Sequence, residues 1–393
     1  MRGAEAVLAC LREQGVDTVF GYPGGMILPL YDALYGQTEI RQILVTHEQN
    51  AAHAADGYAR ATGRVGVCIA TSGPGATNLV TGIATAYMDS IPMVAITGQV
   101  DLEMLGRDAF QETDILDVTM PVTKHNYKVK NAADLVPIIR EAFDLARSGR
   151  PGPVLIDVPR NLFFEEVAYA EQKREERRPG KPDADFAICA AEAAAEIVNA
   201  ERPLVIVGGG VISAGASAQA IAFIEKYKLP VVHTLMGMGG IPSTHPQMLG
   251  FIGMHGAKTA NYAVGAADLV IALGSRFADR QTGNLSKFTA NRKFIHIDID
   301  PAEIDKIVGS SIGLAGDMCV ILNLLMRQAP KSDYAAWWQQ LHTWQEEFAY
   351  DYHSDVLSVP WALNQVARMT AGKACAYATD VGQHQMWAAL HLR

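Results

Sequence analysis

At 393 residues, with 49% hydrophobic and 19% charged residues and a net charge of −9, the chain has the composition of a globular protein and is too long for a single core, so two or three domains are expected. No basic surplus marks it for nucleic acid, and no apolar run reaches the length of a membrane span. The five cysteines, Cys10, Cys68, Cys189, Cys319 and Cys375, stand in apolar surroundings without a CxxC pair; they read as reduced core residues, and with an amino terminus unlike a secretory signal they point to the cytoplasm.

Residues 4–14 have the apolar spacing of a helix closed by Gly15. VDTVF then reads as a strand, Gly21-Tyr22-Pro23-Gly24-Gly25 as a loop, and the stretch through Tyr35 as a helix. IRQILVT is an apolar run ending near Glu48, which opens an Ala-rich helix. A second run, GVCIA, ends in the loop Thr71-Ser72-Gly73-Pro74-Gly75-Ala76-Thr77-Asn78, followed by a helix from Asn78 to about Ser90 and the buried strand IPMVAITGQV. A polar stretch covers 101–119, and PGPVLIDVP at 151–159 completes a doubly wound α/β unit over residues 1–167. Residues 168–186 are charge-dense with two prolines and read as a linker.

A second α/β unit is expected over 187–330. Its strands are RPLVIV, PVVHT, ADLVIALG and KFIHIDID, each followed by a loop at its carboxyl end. Residues 331–360 read as a connecting aromatic helix, and 361–393 as the start of a third unit of helix, strand and DVGQHQMWAA. The fold class is therefore α/β, with two doubly wound parallel-sheet domains and the beginning of a third.

A carboxylate at the carboxyl end of a parallel strand stands where open α/β sheets bind ligands, and flanking glycines let backbone approach a flat or anionic group. Glu48 fits that position, although an acid in the first helical turn also serves the helix dipole. GYPGG alone is equally a tight turn, and Arg150 alone equally a surface cation. In the second unit Gly208-Gly209-Gly210 departs from GxGxxG, which weakens a standard NAD reading. Asp300, with Pro301 and Glu303 behind it, reads as a capping-box helix start, leaving Asp298 as the better ribose or adenine contact.

HEQNAAHAADGYARATG followed by GVCIATSGPGATNLVTG resembles the pyrimidine-binding domain of thiamine diphosphate enzymes, and most closely the acetohydroxyacid synthase (acetolactate synthase) family. TLMGMGGIP, GFIGMHG, LGSRFADR and HIDIDPAEI, in that order, resemble the family's FAD-binding middle domain, with Ala278 standing where the family often has an acid. The resemblance implies that Glu48 bonds N1′ of the aminopyrimidine and activates the thiazolium carbon, and that Gly24, Phe110, Gln111 and Lys124 face the reacting centre. It assigns cofactor contacts to Pro23, Gly25, Thr71, Gly73, Pro74 and Asn78, and a contact with FAD to Arg150. The FAD neighbours it implies are Gly208, Gly209, Thr234, Leu235, Met236, Met254, His255, Gly256, Gly274, Arg276, Phe277, Asp279, Asp298, Ile299, Asp317 and Met318. Val381, Gly382, Gln383 and His384 match residues of the opening diphosphate domain. Arg276 also suits a 2-oxo acid carboxylate.

The function the resemblance implies is decarboxylation of pyruvate and its condensation with pyruvate or 2-oxobutyrate, in branched-chain amino acid biosynthesis. A related 2-oxo acid decarboxylase or oxidase and a non-catalytic FAD-binding remnant are the alternatives. The cofactors implied are thiamine diphosphate, FAD and Mg²⁺. The family's GDG…N magnesium segment has no counterpart here; no metal ligands are assigned, the chain reads as truncated before that motif, and alone it is expected to be inactive. The partners implied are 2-oxo acids, further copies in a homodimer or homotetramer, and a small regulatory subunit, with no nucleic acid or membrane.

Overall fold

Runs such as GVCIA, MVAITGQ and PVLIDVP carry no polar face, so they are stable only in a parallel sheet covered by helices on both sides. The computed structural model, which describes residues 1–172, 184–330, 333–352 and 357–392, builds them that way in two units, Met1–Arg177 and Arg178–Arg393. The first holds β1 (Thr18–Gly21), β2 (Arg41–Leu44), β3 (Gly66–Ala70), β4 (Met93–Gln99), β5 (His125–Lys128) and β6 (Pro153–Pro159). They form one sheet in the order β2-β1-β3-β4-β6-β5, with every pair parallel. β3, β4 and β6 are buried along their whole length, whereas the edge strands β2 and β5 are largely open.

Local pattern explains the covering helices. In Leu135–Arg147 the buried residues Leu135, Val136, Ile139, Ala142, Phe143 and Ala146 recur at helical spacing and face the sheet. In Glu48–Thr62 the buried stripe is Ala51, Ala52, Ala55 and Ala59. Its small side chains permit very close packing: a Cβ on Gly66 would stand 2.1 Å from the Ala55 carbonyl oxygen, and one on Gly82 2.4 Å from the Ala52 Cβ. The helix expected from Asn78 starts earlier, as Pro74–Asn78 followed by Val80–Asp89.

The second unit holds β7 (Pro203–Val207), β8 (Val231–His233), β9 (Met248–Phe251), β10 (Leu269–Leu273), β11 (Lys293–Asp298) and β12 (Ile312–Ala315). The sheet order is β12-β11-β10-β7-β8-β9, again parallel throughout. Sequence pattern located four of these strands; β9 and the short, half-open β12 extend the sheet at its two edges. The capping-box helix expected at Asp300 is absent. Residues 301–306 are turns, because Asp298, Asp300 and Asp305 each accept a nearby backbone N–H, from Asp300, Ala302 and Ser310, and so compete with helical bonding.

Of the expected linker, 173–183 lies outside the described residues. Its first residues are pinned by a bidentate pair, Arg140 to Glu13 at 2.8 and 2.7 Å, with Arg140 also donating to the Ala170 carbonyl and Gln172 N–H to Glu13. Its last are already in the helix Ala184–Asn199. The connecting helix, Ala335–Glu347, joins the second core: Trp337 is buried and its indole N–H donates to the Pro203 carbonyl at 3.1 Å. Beyond it come the helices Val359–Thr370 and Gln383–His391, but the strand expected between them is exposed irregular chain. Cys375, in that chain, is exposed rather than in a core; all five thiols are free.

One polar group is sealed inside the first sheet. Asp157 on β6 is fully buried, and burial pushes its carboxyl up to about 7 against the opposing hydrogen bonds from Thr97 and Gln99. The other charges that reach it, Lys128 and Asp114, pair with each other at 3.2 Å. A carboxyl that binds its proton more tightly folded than unfolded costs nothing at low pH and destabilises increasingly as pH rises from about 4 to about 7, the cost then staying constant. Asp157→Asn should therefore gain stability relative to the unsubstituted protein across that window, by up to roughly 4 kcal/mol. Thermal unfolding from pH 4 to 8 checks this; a stability difference independent of pH would contradict it.

Candidate functional site

Open parallel sheets bind ligands outside their carboxyl ends, where successive strands leave in opposite directions. In the first unit that point lies between β1 and β3, since β2 lies beyond β1 and β4 beyond β3. The loop after β1, the loop after β3 and the helix start after β2 meet there around Thr71. The Thr71 hydroxyl oxygen accepts the Met26 N–H at 3.1 Å. A Cβ on Gly24 would stand 2.5 Å from the Thr71 methyl carbon; one on Gly75 would stand 2.8 Å from it and 3.3 Å from Glu48 Oε1. Both glycines are thus required by close approach, beyond any need of a tight turn.

Glu48 is the first residue of its helix but only 9% exposed. Asn78 Nδ2 donates to its Oε2 at 2.9 Å. A carboxylate serving only the helix dipole would stand in solvent; this one is turned onto the 71–78 loop. Two buried hydroxyls of this region, Ser72 Oγ and Tyr31 Oη, have no hydrogen-bond partner among the described residues. Tyr31 lies against Gly21, where a Cβ would meet its hydroxyl at 2.4 Å, and both burial and the Glu48 charge push its phenol up.

The 101–113 segment forms the remaining wall. Gln111 has a φ of +59° and Gly73 a φ of +56°, and a Cβ on Gly73 would stand 2.6 Å from the Gln111 carbonyl oxygen. A left-handed non-glycine residue is retained only where its surroundings impose it. Beside it Phe110 is 80% exposed, an uncovered aromatic. The structure thus brings together Pro23, Gly24, Gly25, Glu48, Thr71, Gly73, Pro74, Asn78, Phe110 and Gln111.

Lys124 does not join them, and Arg150, whose implied contact is with FAD, also stands away from Glu48. They precede β5 and β6, at the amino end of the same parallel sheet. Lys124 Nζ donates to the carbonyls of Leu145 and Ser148 at 2.5 and 2.7 Å, closing the helix Leu135–Arg147, and burial lowers its pKa. Arg150 Nε donates to Ser90 Oγ at 2.8 Å. Sequence reasoning also passed over Thr97, Gln99 and Asp157; the available signal was three polar residues interrupting otherwise apolar strands.

In the second unit the reversal lies between β7 and β10. There Gly208 and Gly210 pack on Gly274: a Cβ on Gly208 would stand 2.0 Å from the Gly274 carbonyl oxygen, and one on Gly210 2.7 Å from the Gly274 Cα. Every implied FAD neighbour in this unit ends or follows a strand at the carboxyl edge of its one sheet. Gly208 and Gly209 follow β7, Thr234 to Met236 β8, Met254 to Gly256 β9, Gly274 to Asp279 β10, Asp298 and Ile299 end or follow β11, and Asp317 and Met318 follow β12. Thr234 Oγ1 accepts the Gly237 N–H, and Asp317 caps its helix through the Val320 N–H. The Phe277 ring is buried against Phe288, Phe294 and His296, so it is part of the core, and its backbone has a φ of +53°. Val381, Gly382, Gln383 and His384 stand at the start of the partly buried helix Gln383–His391, where Val381, Gln383 and His384 are exposed. A cavity of about 930 Å³ in this unit is lined by Gly256, one of the implied FAD neighbours, together with Lys258, Phe348, Tyr350, Asn364 and His391.

Residues 1–118 match the thiamine pyrophosphate enzyme N-terminal TPP binding domain, and 190–325 the central domain of the same enzymes. All of the chain aligns with the acetolactate synthase large subunit of Parasynechococcus marenigrum at 47% identity, covering 65% of that protein. It aligns with that of Haemophilus influenzae and with the isozyme 2 large subunit of Escherichia coli at 45%, covering 70% of each. The chain belongs to the acetolactate synthase large-subunit family. It spans about two thirds of the length of these relatives. For an acetolactate synthase large subunit the division is clean: the N-terminal match contains the whole Glu48 crevice and stops before Lys124 and Arg150, and the central match contains all six strands of the second sheet.

The glycine crevice of this family member is testable by packing alone. Gly208→Ala should destabilise the protein by about 1–3 kcal/mol or more, because its methyl meets fixed backbone. Gly209→Ala, whose methyl meets the Met236 side chain at 3.2 Å, should cost less. Equal losses in urea midpoint would show that the two backbones do not touch.

Proposed function

We propose that this chain carries the catalytic chemistry of an acetolactate synthase: decarboxylation of pyruvate and condensation with a second 2-oxo acid, pyruvate or 2-oxobutyrate, for branched-chain amino acid biosynthesis. The observation that carries it is Glu48, withdrawn from solvent at the reversal point of a parallel sheet, with one oxygen held by Asn78 and the other beside Gly75.

The crevice fits a flat heteroaromatic ring. Gly24, Gly73 and Gly75 add no side chain of their own to the loops, and Ser72 and Tyr31 bring hydroxyls with no hydrogen-bond partner among the described residues. Thiamine diphosphate, when bound, supplies a carbon acid whose conjugate base attacks a keto carbon and an electron sink for the carbon dioxide lost. Glu48 would hold a proton at the ring nitrogen through Oε1, while Asn78 fixes the rotamer through Oε2. Gln111 and the exposed Phe110 would line the approach and exclude water.

The second crevice fits FAD, with the Gly208-Gly274 contact bringing backbone to the ligand, Asp298 toward the ribose, and Arg276 available to a 2-oxo acid carboxylate. Mg²⁺ would accompany the diphosphate. Naming of the relatives as large subunits supports a smaller regulatory partner, and we place the protein in the cytoplasm as a homodimer or homotetramer, which the free thiols support.

A holoenzyme containing this chain, given thiamine diphosphate, Mg²⁺ and pyruvate, should form acetolactate, detected as acetoin after acidification. Glu48→Gln should reduce the rate at least a thousandfold with unchanged circular dichroism, since a carboxamide cannot share the proton. The factor is an order-of-magnitude expectation for loss of an acid-base group. Acetate or acetaldehyde as sole product would reassign the chain to a sister activity.

A further inference from the structure

Two strands of the first sheet are apolar except at one patch. Thr97 and Asp157 are opposite each other on β4 and β6, and Gln99, two residues on, shares their face. All three are buried. Thr97 Oγ1 donates to Asp157 Oδ1 at 2.7 Å, and Gln99 Nε2 donates to Asp157 Oδ2 at 3.0 Å. The same amide nitrogen donates to the Thr113 carbonyl at 2.9 Å, while Gln99 Oε1 accepts the Val100 N–H at 2.9 Å. Both amide hydrogens and the amide oxygen are therefore committed, which fixes the orientation of the side chain.

Thr113 closes the segment that presents Phe110 and Gln111. That segment is drawn into a loop by Glu112, which accepts the N–H groups of Gly106 and Ala109 at 2.5 and 3.1 Å. Its tip presses the Gln111 carbonyl onto Gly73. The buried carboxyl thus reaches the crevice wall through a single amide.

We propose that Gln99, oriented by Asp157, is a positioning residue that anchors the 105–113 loop against the Gly73 turn and so sets the wall facing Glu48; its bearing on catalysis rests on the function proposed above. Neither residue touches the crevice, so their effect passes through Thr113.

The test reads loop order directly. Arg107 is exposed on the loop, and trypsin cleavage after it, in the native protein without cofactor, follows local opening. Gln99→Leu should raise that cleavage rate about tenfold, the value of one lost anchoring bond, with cleavage elsewhere unchanged. Gln99→Asn keeps a buried amide near Asp157 but falls short of Thr113; it should behave alike and carries the test should the leucine variant not fold. Asp157→Asn, which still accepts from Gln99, should cleave within about twofold of the unsubstituted rate, the margin set by one retained neutral bond. Wild-type cleavage at Arg107 in either folded Gln99 variant overturns the proposal. So does a loosened loop that leaves kcat and KM for pyruvate unchanged. Failure of the unsubstituted protein to form acetolactate would overturn only the catalytic reading, since the cleavage readout needs no substrate.

Discussion

The first unit depends on how closely two glycine turns can approach one threonine. Thr71 receives the Met26 N–H and has the Cα atoms of Gly24 and Gly75 against its methyl group. Glu48 lies beside that contact, with Oε1 near Gly75, withdrawn from solvent and steadied by Asn78. A single added methyl at either glycine would open the loops, and the acid would return to water. The chemistry attributed to Glu48 is thus a consequence of backbone packing three strands wide.

The second unit meets the same constraint with different residues. Gly208, Gly210 and Gly274 press backbone on backbone at the reversal of its sheet. In both units the loops that carry polar and glycine residues follow the carboxyl ends of strands, and the amino ends carry ordinary closure such as Lys124 on the helix carbonyls. Parallel topology imposes this division, because every strand of a parallel sheet delivers its following loop to the same edge.

Between scaffold and site stands the Thr97-Gln99-Asp157 patch. A carboxyl in an apolar sheet is a stability cost unless it is protonated or fully bonded. Here it orients an amide that meets a loop carbonyl, so a destabilising group is joined to a loop whose geometry the site needs. Strain at Gln111 and at Phe277, both at positive φ, falls on the same functional edges.

The alternation of apolar runs with glycine-bearing loops was sufficient, read alone, to determine two parallel α/β units, their central strands and the loops at their carboxyl ends. It was sufficient because a run apolar on every residue has one stable environment. Glu48 and the glycine loops could be placed for the same reason, through their position after such runs, whereas the parts taken by Thr71 and Asn78 were implied only by the family resemblance. The edge strands β5, β9 and β12, the turns at 301–306 and the exposed chain around Cys375 were decided only by tertiary structure, since short half-open segments take their conformation from neighbours distant in sequence. So were the separation of Lys124 from the crevice and the link from Asp157 to Thr113. A residue type and its local pattern do not state which edge of a sheet it will occupy; that is settled when the strands choose their order.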